Sequence, residues 1–315
     1  MKQKNRCLNL MKGIGCFGII FIHIPFPGEV GKFVFLLSRY VVPFFFMISG
    51  YYAYGTNLEE NHSKIIRRAK KNLKVLIYSL IPYVVYHAFY PLGVEFSVEQ
   101  VFRTLILSDF TFVNAGVLWY LHAQIIGYLF LDMFGQKKLY PKVYLIVPIL
   151  LFICTYMRIR FTSTYYFNNF LLTAIPFMLV GHCIARNEMT LKKVLNNNRI
   201  VLGIVVSILF MAVRRFLPIE TDLTYLGVIV YAIGMFLFAI FNPQFSVCKP
   251  LEIIGERYSM YIYVLHIIVN ILIWRFFTNP WLYPIMIAVI TLLISIVIHE
   301  IVTMWKKYEM RKRDL

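Results

Sequence analysis

Apolar residues in this chain come in blocks of about 20, and the blocks recur along the whole sequence. A helix of about 20 residues crosses the ~30 Å hydrocarbon layer of a bilayer at 1.5 Å per residue. The chain is 60% hydrophobic and only 15% charged, whereas a soluble domain has about 25% charged residues. Transmembrane β-strands would give short alternating segments instead. The sequence therefore predicts an all-α polytopic membrane protein.

Ten transmembrane spans are predicted, and the distribution of charge sets their orientation. The spans are 9–28, 33–54, 75–93, 115–134, 142–159, 168–185, 200–217, 223–241, 258–277 and 281–304. With both termini in the cytoplasm, the inward segments hold 24 of the 32 Lys and Arg residues. Cytoplasmic loops are enriched in these two residues, so an N-in, C-in topology is predicted. Residues 1–315 are expected to form one membrane domain with no appended soluble domain.

The net charge of +17 would suggest nucleic-acid binding in a soluble protein. In a membrane protein, basic cytoplasmic loops account for such an excess, so no nucleic-acid partner is expected. The five cysteines include no Cys-x-x-Cys pair, which argues against a cysteine zinc site. No metal is predicted.

The first span carries Lys12 and His23 in an otherwise apolar segment. Ionisable side chains are costly inside a membrane, so each one is a candidate functional residue. The two are eleven residues apart, which places them within about 20° on one helix face and about 16 Å apart along the axis. Asn9 continues this stripe. The alternative is a packing hairpin in which His23 only bonds to a neighbouring helix.

The second span contains Pro43, which is expected to kink or loosen the helix. Counted from the turn after Pro27, Arg39 is predicted to reach the same depth as His23, with Tyr40 next to it. The longest outward connection, 94–114, begins with a helix-start pattern at Ser97, so a short surface helix is predicted there.

Four short motifs occur along the chain in a recognisable order. They are LMKGIGCFGIIFIH (10–23), VPFFFMISGYY (42–52), LWYL (118–121) and SMYIYVLH (259–266). Together they resemble the integral-membrane acyltransferase family 3, and the resemblance covers essentially the whole chain. In that family an acidic residue and an Arg usually stand where Asn9 and Lys12 stand here, and an Asn–Lys pair makes a weaker contact.

The resemblance implies a multi-pass enzyme of the bacterial plasma membrane. Such enzymes move an acyl group, commonly acetyl, from cytoplasmic acetyl-CoA to a hydroxyl of a surface polysaccharide or a lipid-linked glycan precursor. Transfer to a hydroxyl needs a base, and the unperturbed imidazole pKa of about 6.5 suits neutral pH. No Gly-x-Ser-x-Gly elbow occurs, so His23 is assigned as general base, with Arg39 or Tyr40 as candidates for stabilising the oxyanion.

The polyanionic donor requires a basic site on the cytoplasmic side. The best candidate is the run 61–74, whose cations recur at three- and four-residue spacing on a helix. The residues predicted to bind the donor are Lys12, Arg67, Arg68, Lys70, Lys71, Lys74, Ser259 and His266. The cations of this run would equally anchor the helix to anionic lipids. His266 is alternatively a second catalytic histidine or a packing residue.

Two other functions stay open. A similar membrane module is fused to a racemase in some vancomycin-resistance proteins and is linked there to serine uptake, so small-molecule transport is the alternative. A non-catalytic scaffold is the third, although it has little need for the stripe that ends at His23. Tyr165 and Tyr166, near Arg158 and Arg160, either hold a sugar or form an aromatic belt at the membrane surface.

Overall fold

The computed structural model describes residues 4–90, 97–216 and 223–313. The α-helices of these residues are α1 (Arg6–His23), α2 (Gly28–Ser38), α3 (Val41–Ala53), α4 (Leu58–Phe89), α5 (Val98–Leu107), α6 (Trp119–Gln136), α7 (Tyr140–Arg160), α8 (Ile175–Val194), α9 (Asn197–Phe216), α10 (Thr224–Phe241), α11 (Lys249–Ile253), α12 (Ser259–Ile273) and α13 (Leu282–Arg313). No strand occurs in these three ranges, which confirms the all-α prediction.

Nine helical stretches in the described ranges are long and apolar enough to cross a membrane, so the protein is a multi-pass membrane protein. They correspond to nine of the ten predicted spans. The exception is 75–93, which is helical up to Phe89 and ends in residues that lie outside the described ones. α4 begins at Leu58, before the start of the predicted span. The apolar part of the helix, 75–89, is about 22 Å long. That length is shorter than the ~30 Å hydrocarbon layer.

The second predicted span consists of two helices, α2 and α3, separated by Arg39 and Tyr40. Pro43 has no N–H to donate to the carbonyl of Arg39, four residues earlier, and its ring crowds that carbonyl. α2 therefore ends at Ser38, and the helix resumes at Val41. The loosening predicted at Pro43 is confirmed: the α-helix is interrupted at Arg39 and Tyr40, while Arg39 keeps helical backbone angles.

Side-chain caps set where two other helices begin. Asn5 Oδ1 accepts a hydrogen bond from the Leu8 N–H at 2.7 Å at the start of α1. Ser97 Oγ accepts one from the Gln100 N–H at 3.3 Å, which confirms the predicted start of the short helix α5. Both caps satisfy amide groups that a helix leaves without an internal partner.

The helices form two compact units. The first unit takes the chain up to Val41 and from Asn242 onward, and it holds α1, α2 and α11 to α13. The second unit, Val42–Phe241, holds the rest of α3 and α4 to α10.

Glycines bring α3 and α8 together in the second unit. A β-carbon on Gly50 would collide with the backbone of Met178, and one on Gly181 would collide with the backbone of Met47. Without a hydrophobic driving force between helices in lipid, small residues that permit close backbone contact hold such pairs together. Gly50 and Gly181 therefore permit the close approach of α3 and α8.

Candidate active site

In the first unit, α1 lies directly against α11 and the turn that leads into α12. A β-carbon on Gly13 would collide with the carbonyl of Leu251, and one on Gly255 would collide with the carbonyl of Asn9. These glycines let the two backbones meet without intervening side chains. The half of the predicted polar stripe at the beginning of α1 is therefore a helix-packing surface.

Ion pairs fasten the beginning of α1 to the same segment. Arg6 donates to both oxygens of Glu252, from Nε at 3.2 Å and from Nη2 at 3.0 Å, and Lys4 pairs with Glu256. Glu252 is buried, and a two-point arginine–carboxylate contact is the strong form of such a pair. The beginning of α1 contacts α11 and the turn that leads into α12, and the end of α1 contacts α12 itself. Because the contacts advance along both segments together, α1 and α12 run in the same direction.

The second meeting point is a pair of histidines. His23, the last residue of α1, is exposed, and its ring centroid lies 5.3 Å from that of His266 at an interplanar angle of 42°. The two histidines come from motifs about 240 residues apart in the sequence. The structure therefore brings together two of the predicted site residues, one accessible and one enclosed.

His266 is fully buried in α12 and has a defined tautomer. Its Nδ1 lies 3.2 Å from the carbonyl oxygen of Ile262, and because a carbonyl only accepts, Nδ1 carries the proton. Nε2 then holds a lone pair, and it has no hydrogen-bond partner among the described residues. The pair therefore places an exposed imidazole against a buried imidazole whose Nε2 carries a lone pair.

Lys12 and Ser259 lie further along the same two helices. Lys12 is half-buried on α1, one turn before the buried Cys16. Ser259 opens α12, seven residues before His266, which corresponds to about 10 Å along the helix axis. Neither residue belongs to the ring contact between the histidines.

Arg39 does not lie at the depth of His23, contrary to the prediction. A β-carbon on Gly18 would lie 3.3 Å from Ser38 Oγ and 3.1 Å from Val41 Cγ2, so the break around Arg39 is level with Gly18. Gly18 is five residues before His23, or about 7.5 Å along α1. The residue count from the turn placed Arg39 too close to His23, because α2 begins at Gly28, directly after Pro27, and runs back along α1 from there. Tyr40 is buried at the same level, and the Arg39 guanidinium lies 5.9 Å from the Phe35 ring.

The cations of α4 do not share one environment. The buried side of this helix is a stripe of mostly small and polar residues: Asn61, Ile65, Ala69, Asn72, Leu76, Ser79 and Tyr83. Arg67, Lys70, Lys71 and Lys74 point away from this stripe and are exposed. They are consistent with both predicted roles, donor binding and lipid anchoring.

Arg68 is the cation of this run that turns inward. Its guanidinium carbon lies 5.6 Å from the centre of the Tyr52 ring, and it also interacts with Tyr128 on α6. Its Nε is buried and has no hydrogen-bond partner among the described residues. Arg68 is therefore an interior cation of the second unit, set apart from its exposed neighbours.

Sequence reasoning missed a buried polar network next to Arg68. Gln124 of α6 donates to Ser49 Oγ and, at 3.0 Å, to Tyr120 OH, and it accepts from Asn72. Buried polar groups persist in an apolar interior when they satisfy one another. The available signal was the spacing: Gln124 follows Tyr120 of the LWYL motif by one helical turn.

Sequence reasoning also missed a cluster of aromatic residues around His182 of α8. This histidine is buried, its ring stacks on Tyr140 with centroids 4.2 Å apart, and the Tyr54 ring meets it edge-on at 5.3 Å. Its Nδ1 is 2.7 Å from Tyr144 OH, while Nε2 has no hydrogen-bond partner in the described part of the chain. Unlike His266, it has no accessible histidine beside it.

Comparison with known families gives one match. The sequence model of an acyltransferase domain, that of acyltransferase family 3, matches residues 5–300 and so spans both units. Comparison with curated proteins and with solved structures found no significant match. The matched range includes the histidine pair, the cations of α4 and the network around Gln124.

Proposed function

Because the chain belongs to acyltransferase family 3 and is therefore a membrane acyltransferase, we propose that it is an O-acetyltransferase of the bacterial plasma membrane. It takes an acetyl group from cytoplasmic acetyl-CoA and places it on a hydroxyl of a cell-surface polysaccharide or a lipid-linked glycan precursor. His23 is the general base. The observation that carries this assignment is the contact between accessible His23 and buried His266.

In the proposed reaction the acceptor hydroxyl oxygen attacks the thioester carbonyl while His23 takes the hydroxyl proton. The C–S bond then breaks, and the coenzyme A thiolate leaves and is protonated. His266 lies behind His23 as a positioning residue: its enclosed ring and fixed tautomer hold the orientation of the catalytic imidazole. Arg39 and Tyr40 are not included in this step because they lie deeper than His23.

Ten crossings with both termini in the cytoplasm belong to the proposal. Since α1 and α12 run in the same direction, the chain between them must cross the membrane an odd number of times. Six of the nine apolar stretches lie between them, so one further crossing is required, and α4 is the remaining long helix in that interval. The concentration of Lys and Arg in the inward segments supports the same orientation.

The packing of α4 supports its role as this crossing. It runs antiparallel along α6, which is itself one of the apolar stretches: His62 Nδ1 is 2.8 Å from Asp132 Oδ1, and further along Asn72 bonds to Gln124. A lysine such as Lys74 can extend its ammonium group towards the headgroups while its alkyl stem stays in the apolar layer. A short apolar part is therefore compatible with crossing.

For the donor, we propose that the inner end of α4 holds the phosphates of acetyl-CoA. Arg68 offers a half-buried guanidinium whose buried Nε has no hydrogen-bond partner among the described residues, and guanidinium groups bind phosphate through two parallel hydrogen bonds. The exposed cations Arg67, Lys70, Lys71 and Lys74 attract the polyanion and anionic lipids. Lys12 and Ser259 of the first unit were also predicted to bind the donor, and that role stays a prediction.

The test is acetyl transfer by purified protein in phospholipid vesicles supplied with labelled acetyl-CoA and a panel of envelope glycans. His23→Ala is expected to reduce transfer by roughly 10²- to 10⁴-fold, the usual contribution of a general base. His87→Ala, which removes a half-exposed histidine near the other end of α4, is the matched control and should retain activity. Undiminished transfer by His23→Ala would contradict the assignment, and accumulation of labelled serine inside vesicles without acetyl-CoA would favour transport.

A further inference from the structure

A cavity of about 300 Å³ opens next to the short helix α5 of the second unit. Its lining residues are Gln100, Arg103, Asp109, Thr111 and Phe112. Small-molecule pockets range from about 300 to 1,000 Å³, so this cavity is large enough for one small ring and too small for a chain of them. We call it the outer cavity, because the proposed topology places this connection outside the cytoplasm.

The walls of the outer cavity are held in place by the turn that ends α5. Ser108 adopts a left-handed conformation with φ of 59°, which reverses the chain after the helix. Asp109 Oδ1 then accepts from the Thr111 N–H at 3.0 Å and from Thr111 Oγ1 at 2.6 Å. Asp109 Oδ2 accepts from Arg103 Nη2 at 2.6 Å. The lining is therefore fixed before any ligand binds, which lowers the entropic cost of binding.

Charge in the outer cavity is balanced. The Asp109 carboxylate is buried and paired with Arg103, and exposed Glu99 lies 3.7 Å from Arg103 Nη1. An arginine neutralised in this way is a poor site for an anion, because the anion would have to compete with a carboxylate already in place. The lining is thus suited to an uncharged ligand.

Two polar atoms of this lining lack hydrogen bonds within the described chain. They are Gln100 Oε1, an acceptor, and Arg103 Nε, a donor, and both are buried. A buried polar group without a partner costs about 1–3 kcal/mol, so a ligand that satisfies both is favoured. A hydroxyl donates and accepts, so two neighbouring hydroxyls match this pair, whereas a phosphate or carboxylate has only acceptors to offer.

From this lining we propose that the outer cavity binds one neutral sugar ring. Its hydroxyls bond to Gln100 and Arg103, and its C–H face packs against the Phe112 ring. In the context of acyl transfer the bound ring would be a unit of the acceptor glycan. That role rests on the proposed function, but binding of the sugar does not.

The test is ligand-observed saturation-transfer NMR with methyl glucopyranoside, on the full chain in phospholipid nanodiscs. Maltoside detergents are avoided because their headgroups are sugars. Methyl glucuronopyranoside, which adds a carboxylate to the same ring, is the comparison ligand. Wild type is expected to bind the neutral ring, and Gln100→Ala and Phe112→Ala are each expected to bind it roughly fivefold to tenfold more weakly, the effect of about one lost contact.

Matched controls are Gln136→Ala and Phe102→Ala, which remove exposed side chains of the same types outside the cavity. Thr111→Val keeps the shape of its side chain and loses the hydroxyl, so it tests the lining if another variant folds poorly. No binding of the neutral ring by wild type, equal binding by the cavity variants, or tighter binding of the glucuronoside would each overturn the proposal. Because no acetyl donor is present, failure of acyl transfer would leave these results unaffected.

Discussion

His266 in the first unit and His182 in the second are both buried histidines whose Nε2 has no hydrogen-bond partner among the described residues. Their surroundings differ. His266 lies against the ring of exposed His23, whereas His182 is enclosed by the rings of Tyr140 and Tyr54 and bonds to Tyr144. One buried imidazole therefore lies against an exposed ring, and the other is enclosed by tyrosine rings.

This difference separates a positioning residue from a structural one. Burial and an unsatisfied nitrogen are common to both sites, so neither property identifies the active site. What distinguishes His266 is an exposed neighbour, His23, which is the proposed general base. We therefore expect replacement of His266 to alter catalysis, and replacement of His182 to alter stability.

Of the two buried histidines, His266 is expected to give the larger effect on catalysis when it is replaced by alanine. Losing the ring that orients His23 should lower kcat by about hundredfold, the scale of a misplaced catalytic group, and leave KM for acetyl-CoA unchanged. His266→Gln, which keeps a polar group near the position of Nε2, should recover about tenfold of this loss. The measurement is steady-state kinetics on folded protein. A rise in KM for acetyl-CoA with unchanged kcat would instead indicate that His266 binds the donor.

A smaller effect of another kind is expected from His182→Ala. Removing a buried ring from the tyrosine cluster should reduce the free energy of unfolding by about 2–4 kcal/mol, because a cavity is left beside Tyr140 and Tyr144 loses one hydrogen bond. The rate per folded molecule should stay as in wild type. Thermal unfolding monitored by circular dichroism and the acetyl-transfer assay check the two parts.

His182→Phe is the control for that prediction. It keeps an aromatic ring to stack on Tyr140 and removes the unsatisfied Nε2, so it should cost about 1 kcal/mol. Loss of acetyl transfer in both His182 variants, with unfolding unchanged, would remove the contrast with His266.

Local patterns predicted the parts of the fold that depend on local chemistry. The cap at Ser97 and the break at Pro43 follow from hydrogen bonds within a few residues, and both appear where the sequence indicates them. The eleven-residue spacing drew attention to His23, whose catalytic role stays a prediction. It could not predict that His266 would be the neighbour, because that contact depends on the approach of α1 and the α12 segment at Gly13 and Gly255.

The orientation of Arg68 shows why the rest could not be predicted from spacing alone. In a soluble protein the apolar face of a helix is the buried one, but in lipid the apolar residues can face outward. On α4, Ile77 and Val84 are exposed while Asn72 and Ser79 are buried. The small and polar stripe was the sequence signal for the inner face, and Arg68 lies close enough to it to turn inward.

The smallest effects are expected from the exposed cations of α4. The cations of this helix repeat the contrast between the two histidines, since some are exposed and Arg68 is enclosed. Replacing exposed Lys71 and Lys74 with Gln should weaken retention of anionic lipid by about 1 kcal/mol per charge, or roughly fivefold each, as for basic residues near a membrane surface. Arg68→Gln should leave lipid retention unchanged, since Arg68 faces Tyr52 inside the unit, and should raise KM for acetyl-CoA. Native mass spectrometry of phosphatidylglycerol adducts, with phosphatidylcholine as the neutral comparison, measures the first effect, and steady-state kinetics measures the second. If Arg68→Gln lost lipid and the double lysine variant did not, the assignment of enclosed and accessible cations on this helix would be reversed.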